Sequence, residues 1–177
     1  MTTRSGMQLA RPEVLDDLLL YRLIRLQSAA GGIVLRYCEG QFGITRREWR
    51  IVALLAAHGP LGSSELAAHA GLDRSRTSKA VTGLVAKNLV SRESAAGDAR
   101  YVLLALTPQG AGIHAQLFPV VSAINQEVLA ALEPGEMALL DDILARLQQR
   151  AERMAAREGL PLADRRHGGS GHRLKRV

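Results

Sequence analysis

The 177 residues carry 23 Lys+Arg against 17 Asp+Glu, a net charge of +6, and 47% of them are hydrophobic. That apolar share excludes a wholly disordered chain, and the length suits one domain with or without appendages. No apolar run of about 18 residues is free of charge, so no membrane span is expected, and the single Cys38 excludes an internal disulfide framework or a cysteine zinc cluster.

Met1 to Arg11 lacks the apolar core of a secretory signal. A flexible N-terminus over 1–12 and a cytoplasmic protein are the expectations. From Glu13 to about Glu39 apolar residues recur at three- and four-residue steps: Leu15, Leu18, Leu19, Leu23, Ile24, Leu26, then Ile33, Val34 and Tyr37. This predicts one long helix that is apolar on more than one face. Gly31-Gly32 interrupts it, each costing about 1 kcal/mol against Ala. Either a kink or close helix crossing uses the missing side chains, or they leave room for a ligand.

Thr45 is a suitable N-cap for a second helix, Arg46 to about His58, with Trp49, Val52, Ala53 and Ala56 on one face. Gly59-Pro60 ends it. Ser63 is the expected cap of a short third helix, Ser64 to Ala70, stopped by Gly71. Asp73 caps a fourth, Arg74 to Lys87, whose buried stripe is Thr77, Ala80, Val81, Leu84 and Val85. Asn88 suits the left-handed residue that closes such a helix.

The periodicity then changes to that of strands, Leu89 to Ser94 and Tyr101 to Thr107, around a hairpin tip at Ala95 to Arg100. Thr107-Pro108 opens a further helix to about Leu132. Glu133-Pro134-Gly135 breaks it, and Glu136 to about Glu158 is the last, with Met137, Leu140, Ile143, Leu144 and Leu147 as its stripe.

The charge is concentrated in two places. Residues 73–100 hold +3 and residues 159–177 hold +4. The second is rich in Gly, Ser and charge, and a disordered basic tail is expected there. The first coincides with short helix, tight turn, second helix and two-stranded ribbon, the order of a winged helix-turn-helix. Ala67 is small at the helix crossing, Gly71 stands four residues later at the turn, and Leu72 is expected to fill the core beneath it. Arg74, Ser75, Arg76, Ser78, Lys79 and Thr82 make a polar outer face. A helix of this composition enters the major groove, with Arg and Lys on guanine edges and hydroxyls on bases or phosphates. At the ribbon tip Arg100 can reach a minor groove, held by Asp98.

Gly43-Ile44-Thr45 with Trp49, Ser64-Glu65-Leu66-Ala67, Leu72-Asp73-Arg74-Ser75, Leu84 to Val90, and Asp98-Ala99-Arg100 ahead of Leu106-Thr107-Pro108-Gln109-Gly110 together resemble the MarR family of bacterial transcriptional regulators. The resemblance covers about residues 15–155. It implies a mainly α fold with a small β-wing: a winged helix-turn-helix over 45–107, and a helical dimerisation region over 13–44 and 108–158. It implies a homodimer on a pseudo-palindromic double-stranded DNA operator, and a repressor released by a small, often aromatic anion. The family's base-contacting positions fall on Ser75, Arg76, Ser78 and Lys79, and its minor-groove arginine on Arg100 beside Asp98. The wing departs from the family's repeated Asp-x-Arg: the first copy is Ala95-Ala96-Gly97, and Ala99 stands where an arginine is common.

The resemblance also implies an effector space near Trp49, approached by Ser28, Gly31, Gly32 and Ala53. Small residues opposite a Trp suit a flat ring, and Arg25, Arg50 or Lys79 could meet a carboxylate. The expected effector is an aromatic acid such as a hydroxybenzoate, hydroxycinnamate or pyridine carboxylate. The plainer alternative leaves Trp49 as core and the arginines solvated. Cys38 is expected to be buried and apolar rather than oxidant-sensing, and His58, His69 and His114 are too scattered in sequence to indicate zinc. No catalytic residue, cofactor or metal is expected, since no phosphate loop or nucleophile elbow is present. A weakly specific architectural DNA-binding protein without an effector is the alternative function.

Overall fold

The computed structural model describes residues 8–95 and 98–159. Most of the flexible N-terminus expected over 1–12, the middle of the wing tip and the basic tail lie outside them. The first helix begins later than its periodicity suggests. The Asp17 carboxylate accepts from the backbone N–H groups of Glu13 (3.1 Å) and Val14 (3.2 Å), closing a single 3-10 turn at Leu15–Asp17. Leu18 is extended, and α1 runs Leu19–Phe42. A side chain that satisfies local N–H groups competes with the helix ladder, and here it wins over the apolar spacing. At the other end α1 passes Glu39 and stops at Gly43, left-handed at φ 60°.

Thr45 and Glu48 cap α2 (Arg46–His58) reciprocally. Thr45 Oγ1 accepts from the Glu48 N–H at 3.2 Å, and the Glu48 carboxylate accepts from the Thr45 N–H at 2.7 Å. A two-residue strand, β1 (Leu61–Gly62), follows. The helix α3 (Ser63–Ala70) is capped at Gly62, one residue before the expected Ser63, because Glu65 binds the Gly62 N–H at 3.0 Å. Gly71 (φ 60°) makes the turn, with the Gly71 and Leu72 N–H groups returning to the Ala68 and Ala67 carbonyls. Asp73 accepts from the Arg76 N–H at 2.8 Å and starts α4 (Arg74–Ala86). Asn88, left-handed at φ 55°, closes it.

The wing is β2 (Val90–Ala95) and β3 (Asp98–Leu106), antiparallel, with β1 on the other side of β3. Ala95 pairs with Asp98 beyond a register irregularity at Ser94/Ala95, so the ladder extends into what the sequence suggested was a six-residue tip. β1 pairs Leu61 with Leu104. Two residues are too short to carry an alternation, so this strand left no sequence signal. Thr107 then caps α5 (Pro108–Leu129), which ends short of Leu132.

One core joins these elements: Cys38 of α1, Trp49, Ile51, Val52 and Leu55 of α2, Leu66 of α3, Ala80, Val81 and Leu84 of α4, the sheet residues Val90 and Leu104, and Leu117 of α5. Leu72 is only half-buried, rather than filling the core as expected. Residues 132 onward form a second unit, whose helix α6 (Pro134–Ala155) buries none of its side chains within one chain. Among the described residues no single helix is long and apolar enough to cross a membrane.

Candidate nucleic-acid interface and adjoining cleft

α4 separates its two faces cleanly. Thr77, Ala80, Val81 and Leu84 are buried. Arg74, Ser75, Arg76, Ser78, Lys79 and Thr82 are exposed. Thr77 is the polar member of the buried stripe, and its hydroxyl donates to the Asp73 carbonyl at 2.9 Å, so burial leaves it satisfied. The Arg76 Nε lies 3.3 Å from Asp73 Oδ2. That ion pair on an exposed arginine directs the guanidinium toward the N-terminal end of α4.

Behind this helix sits an ion pair that the sequence reading missed. Glu48 is buried, and Lys87 Nζ donates to both of its carboxylate oxygens at 3.0 and 2.9 Å and to the Gly43 carbonyl at 2.9 Å. One lysine thereby ties the end of α4 to the joint between α1 and α2. Gly83 makes room: a Cβ there would meet Glu48 Oε1 at 2.6 Å. Burial by itself would raise the Glu48 carboxyl. The Thr45 N–H and hydroxyl and the Lys87 ammonium outweigh it and hold the group below its ordinary range. A Glu and a Lys 39 residues apart give no local signal. Asp98 and Arg100 lie in β3, but their side chains lie outside the described residues.

A cleft of about 740 Å³ opens between α1 and α2. Of the expected effector residues, Gly31, Trp49, Arg50 and Ala53 line it, and Leu72 joins them from the turn after α3. Arg25, Ser28, Gly32 and Lys79 do not line it. Arg25 instead pairs with Asp16 at 2.9 Å, in the segment just before α1. Arg50 donates to the Ala70 carbonyl at 2.8 Å. Arg46 and Arg47 are cleft residues that the sequence reading did not single out, and among the described residues Glu39 is the one carboxylate in its walls.

The two adjacent glycines differ. A Cβ on Gly31 would strike the Arg46 guanidinium, whereas one on Gly32 meets nothing within 4 Å. Trp49 is 8% exposed and stacks on His114 with ring centroids 5.7 Å apart, and His114 in turn meets Phe118. His58 and His69, distant in sequence, stack at 4.6 Å. Among the described residues, however, no group of three His, Cys, Asp or Glu is placed to hold a metal ion. Cys38 is fully buried, and burial pushes its thiol up despite the opposing Arg46 charge. A thiol so placed is a poor thiolate source.

These elements can be set beside known proteins. The MarR family profile matches residues 42–100, from the end of α1 to the start of β3 in the wing. The HTH-type transcriptional regulator FarR of Neisseria gonorrhoeae is 34% identical over 107 residues, covering 60% of this chain and 73% of that protein. A putative transcriptional regulatory protein for the hcr operon of Thauera aromatica is 30% identical over 127 residues, covering 72% and 76%. The chain belongs to the MarR family. Membership makes it a DNA-binding transcriptional regulator and not an enzyme. The crystal structure of the regulator NadR in complex with 4-hydroxyphenylacetate superposes on this MarR-family chain with a TM-score of 0.65. It is 28% identical and covers 77% of this chain and 99% of that one.

Proposed function

We propose that this regulator binds a pseudo-palindromic operator as a homodimer, acts as a repressor, and is released by a small aromatic acid. The observation that carries the DNA reading is the two-faced α4: a buried stripe fixes the helix, while Arg74, Ser75, Arg76, Ser78 and Lys79 stay exposed. Placed in a major groove, these side chains read base edges and phosphates. Arg100, supported by Asp98, serves the neighbouring minor groove.

The homodimer reading is supported by apolar side chains that the single chain leaves open. Leu20 of α1 is 73% exposed, with Leu23, Ile24 and Leu26 beside it, and α6 exposes Leu139, Leu144 and Leu147. The regions 13–44 and 108–158 are the dimerising parts and 45–107 the DNA-binding part. Two recognition helices then stand roughly 34–36 Å apart, one DNA turn.

The effector reading rests on the Trp49-walled cleft with its arginines, and on NadR, whose structure holds 4-hydroxyphenylacetate. The acid acts by binding the DNA-incompetent arrangement more tightly, since equal affinity for both arrangements shifts nothing. The test measures binding to operator and scrambled DNA at one salt concentration, with and without hydroxybenzoate, hydroxycinnamate and pyridine carboxylate. Preference for the operator by about 10³ or more is expected, with release by at least one acid. Equal binding to both DNAs identifies an architectural protein. Operator preference without release by any acid removes the effector.

A further inference from the structure

Among the described residues the cleft contains three arginines, and their surroundings differ. Arg50 is already hydrogen-bonded to the Ala70 carbonyl. Arg47 lines the wall as an exposed residue. Arg46 lies against the notch that Gly31 leaves in α1: its guanidinium occupies the space a Cβ would take. Among the described residues Arg46 makes no ion pair with a carboxylate. It also caps nothing, because Thr45 and Glu48 satisfy the start of α2 between themselves. Arg46 is three residues before Trp49, so the two side chains share one side of α2, about one turn apart. A planar guanidinium seated in a backbone notch beside an indole wall is a fitted site for a planar anion attached to a ring.

We infer that Arg46, positioned by the missing side chain of Gly31, is the residue that receives the effector's carboxylate and makes the cleft select acids over neutral aromatics. The inference rests on the effector reading above and assigns the anion-binding role within it. It replaces Arg25 and Lys79, which stand outside the cleft. The Gly31-Gly32 pair thus divides: Gly31 seats a guanidinium, and Gly32 has no such neighbour.

The experiment compares 4-hydroxybenzoate, 4-hydroxycinnamate and nicotinate with their primary amides, by calorimetry on the full chain. A hydrogen-bonded ion pair predicts that the wild type prefers at least one acid to its amide by about tenfold or more. Arg46→Gln brings that ratio close to one by weakening the acid and leaving the amide unchanged. Arg46→Lys keeps the charge but loses the two-pronged fit and falls between them. Gly31→Ala, which keeps the arginine and displaces it, lowers the ratio in the same direction, with circular dichroism checking the fold of each variant. If Arg46→Gln and Gly31→Ala retain the wild-type ratio, Arg46 is not the anchor although the effector reading stands. If the wild type binds none of the acids, the effector reading itself is wrong and the anchor falls with it.

Discussion

Arg50 donates through Nη1 to the carbonyl of Ala70 at 2.8 Å, and so joins the wall of the cleft to the last residue of α3. Leu72, two residues further on, lines the same cleft. The turn that sets α4 relative to α3 is therefore in contact with the space assigned to the effector. A ligand held at Arg46 lies in the same cleft as Arg50 and can shift a guanidinium that holds a carbonyl of the helix-turn-helix. The expected coupling between acid and operator is about 5- to 150-fold. Arg50→Gln should bring that factor toward one while Trp49 fluorescence still reports acid binding. An undiminished factor would remove Arg50 from the route between the sites.

Glu48 and Lys87, joined at 2.9 Å behind α4, are expected to act on stability. Lys87→Met leaves a buried carboxylate with one partner fewer. Lys87 is partly exposed, so water reaches the site, and a loss of about 1–3 kcal/mol is expected. Because the folded Glu48 carboxyl lies below the ordinary glutamate range, its contribution is present above that range. It is lost as pH falls through the folded value. Urea titrations at pH 7 and pH 3 check both parts: the gap between wild type and Lys87→Met should be wide at pH 7 and narrower at pH 3.

Gly110 stands where α5 meets the root of the wing. A Cβ there would run into the carbonyl oxygen of Leu89, which already accepts the Thr107 N–H at 3.1 Å. In a free helix Gly→Ala gains up to about 1 kcal/mol. Here the obstacle is backbone and cannot rotate away, so overpacking outweighs propensity. Gly110→Ala should destabilise by about 1–3 kcal/mol in thermal unfolding, whereas the same change at the unobstructed Gly112 should stabilise.

On α4 the predictions separate specificity from attraction. Arg76→Ala should cost about 1–3 kcal/mol on the operator and narrow the gap to scrambled DNA. Deletion of residues 161–177 removes a share of the positive charge. It should flatten the salt dependence and leave the preference intact. Gel-shift titrations at two salt concentrations distinguish them, and a truncated chain that lost operator preference would show that the tail reads sequence.

The helix-turn-helix was legible because its signals are local. Asp73 caps α4 through the next turn, Gly71 and Asn88 supply left-handed backbone, and Thr77, Ala80, Val81 and Leu84 recur at the spacing of one face. Trp49 and Gly31 were legible as neighbours of one space through the family resemblance. The choice among cations was not: Arg25, Arg46 and Arg50 look alike in sequence. Arg25 goes to Asp16, Arg50 to Ala70, and Arg46 to the Gly31 notch.

The sequence by itself determined where the backbone turns, which face of each helix is apolar and that the positive charge gathers on α4 with its wing and on the tail. These depend on dihedral preferences and spacings within a few residues. Only the tertiary structure decided that Glu48 meets Lys87, that Trp49 stacks on His114, that β1 joins the sheet and that a guanidinium fills the gap at Gly31. Such meetings depend on how helices cross, and a shift of a few ångströms at a crossing exchanges one partner for another. The charge map of the sequence picks out α4 with its wing and the tail, and the packing of α1 against α2 brings Arg46, Arg47 and Arg50 to one cleft.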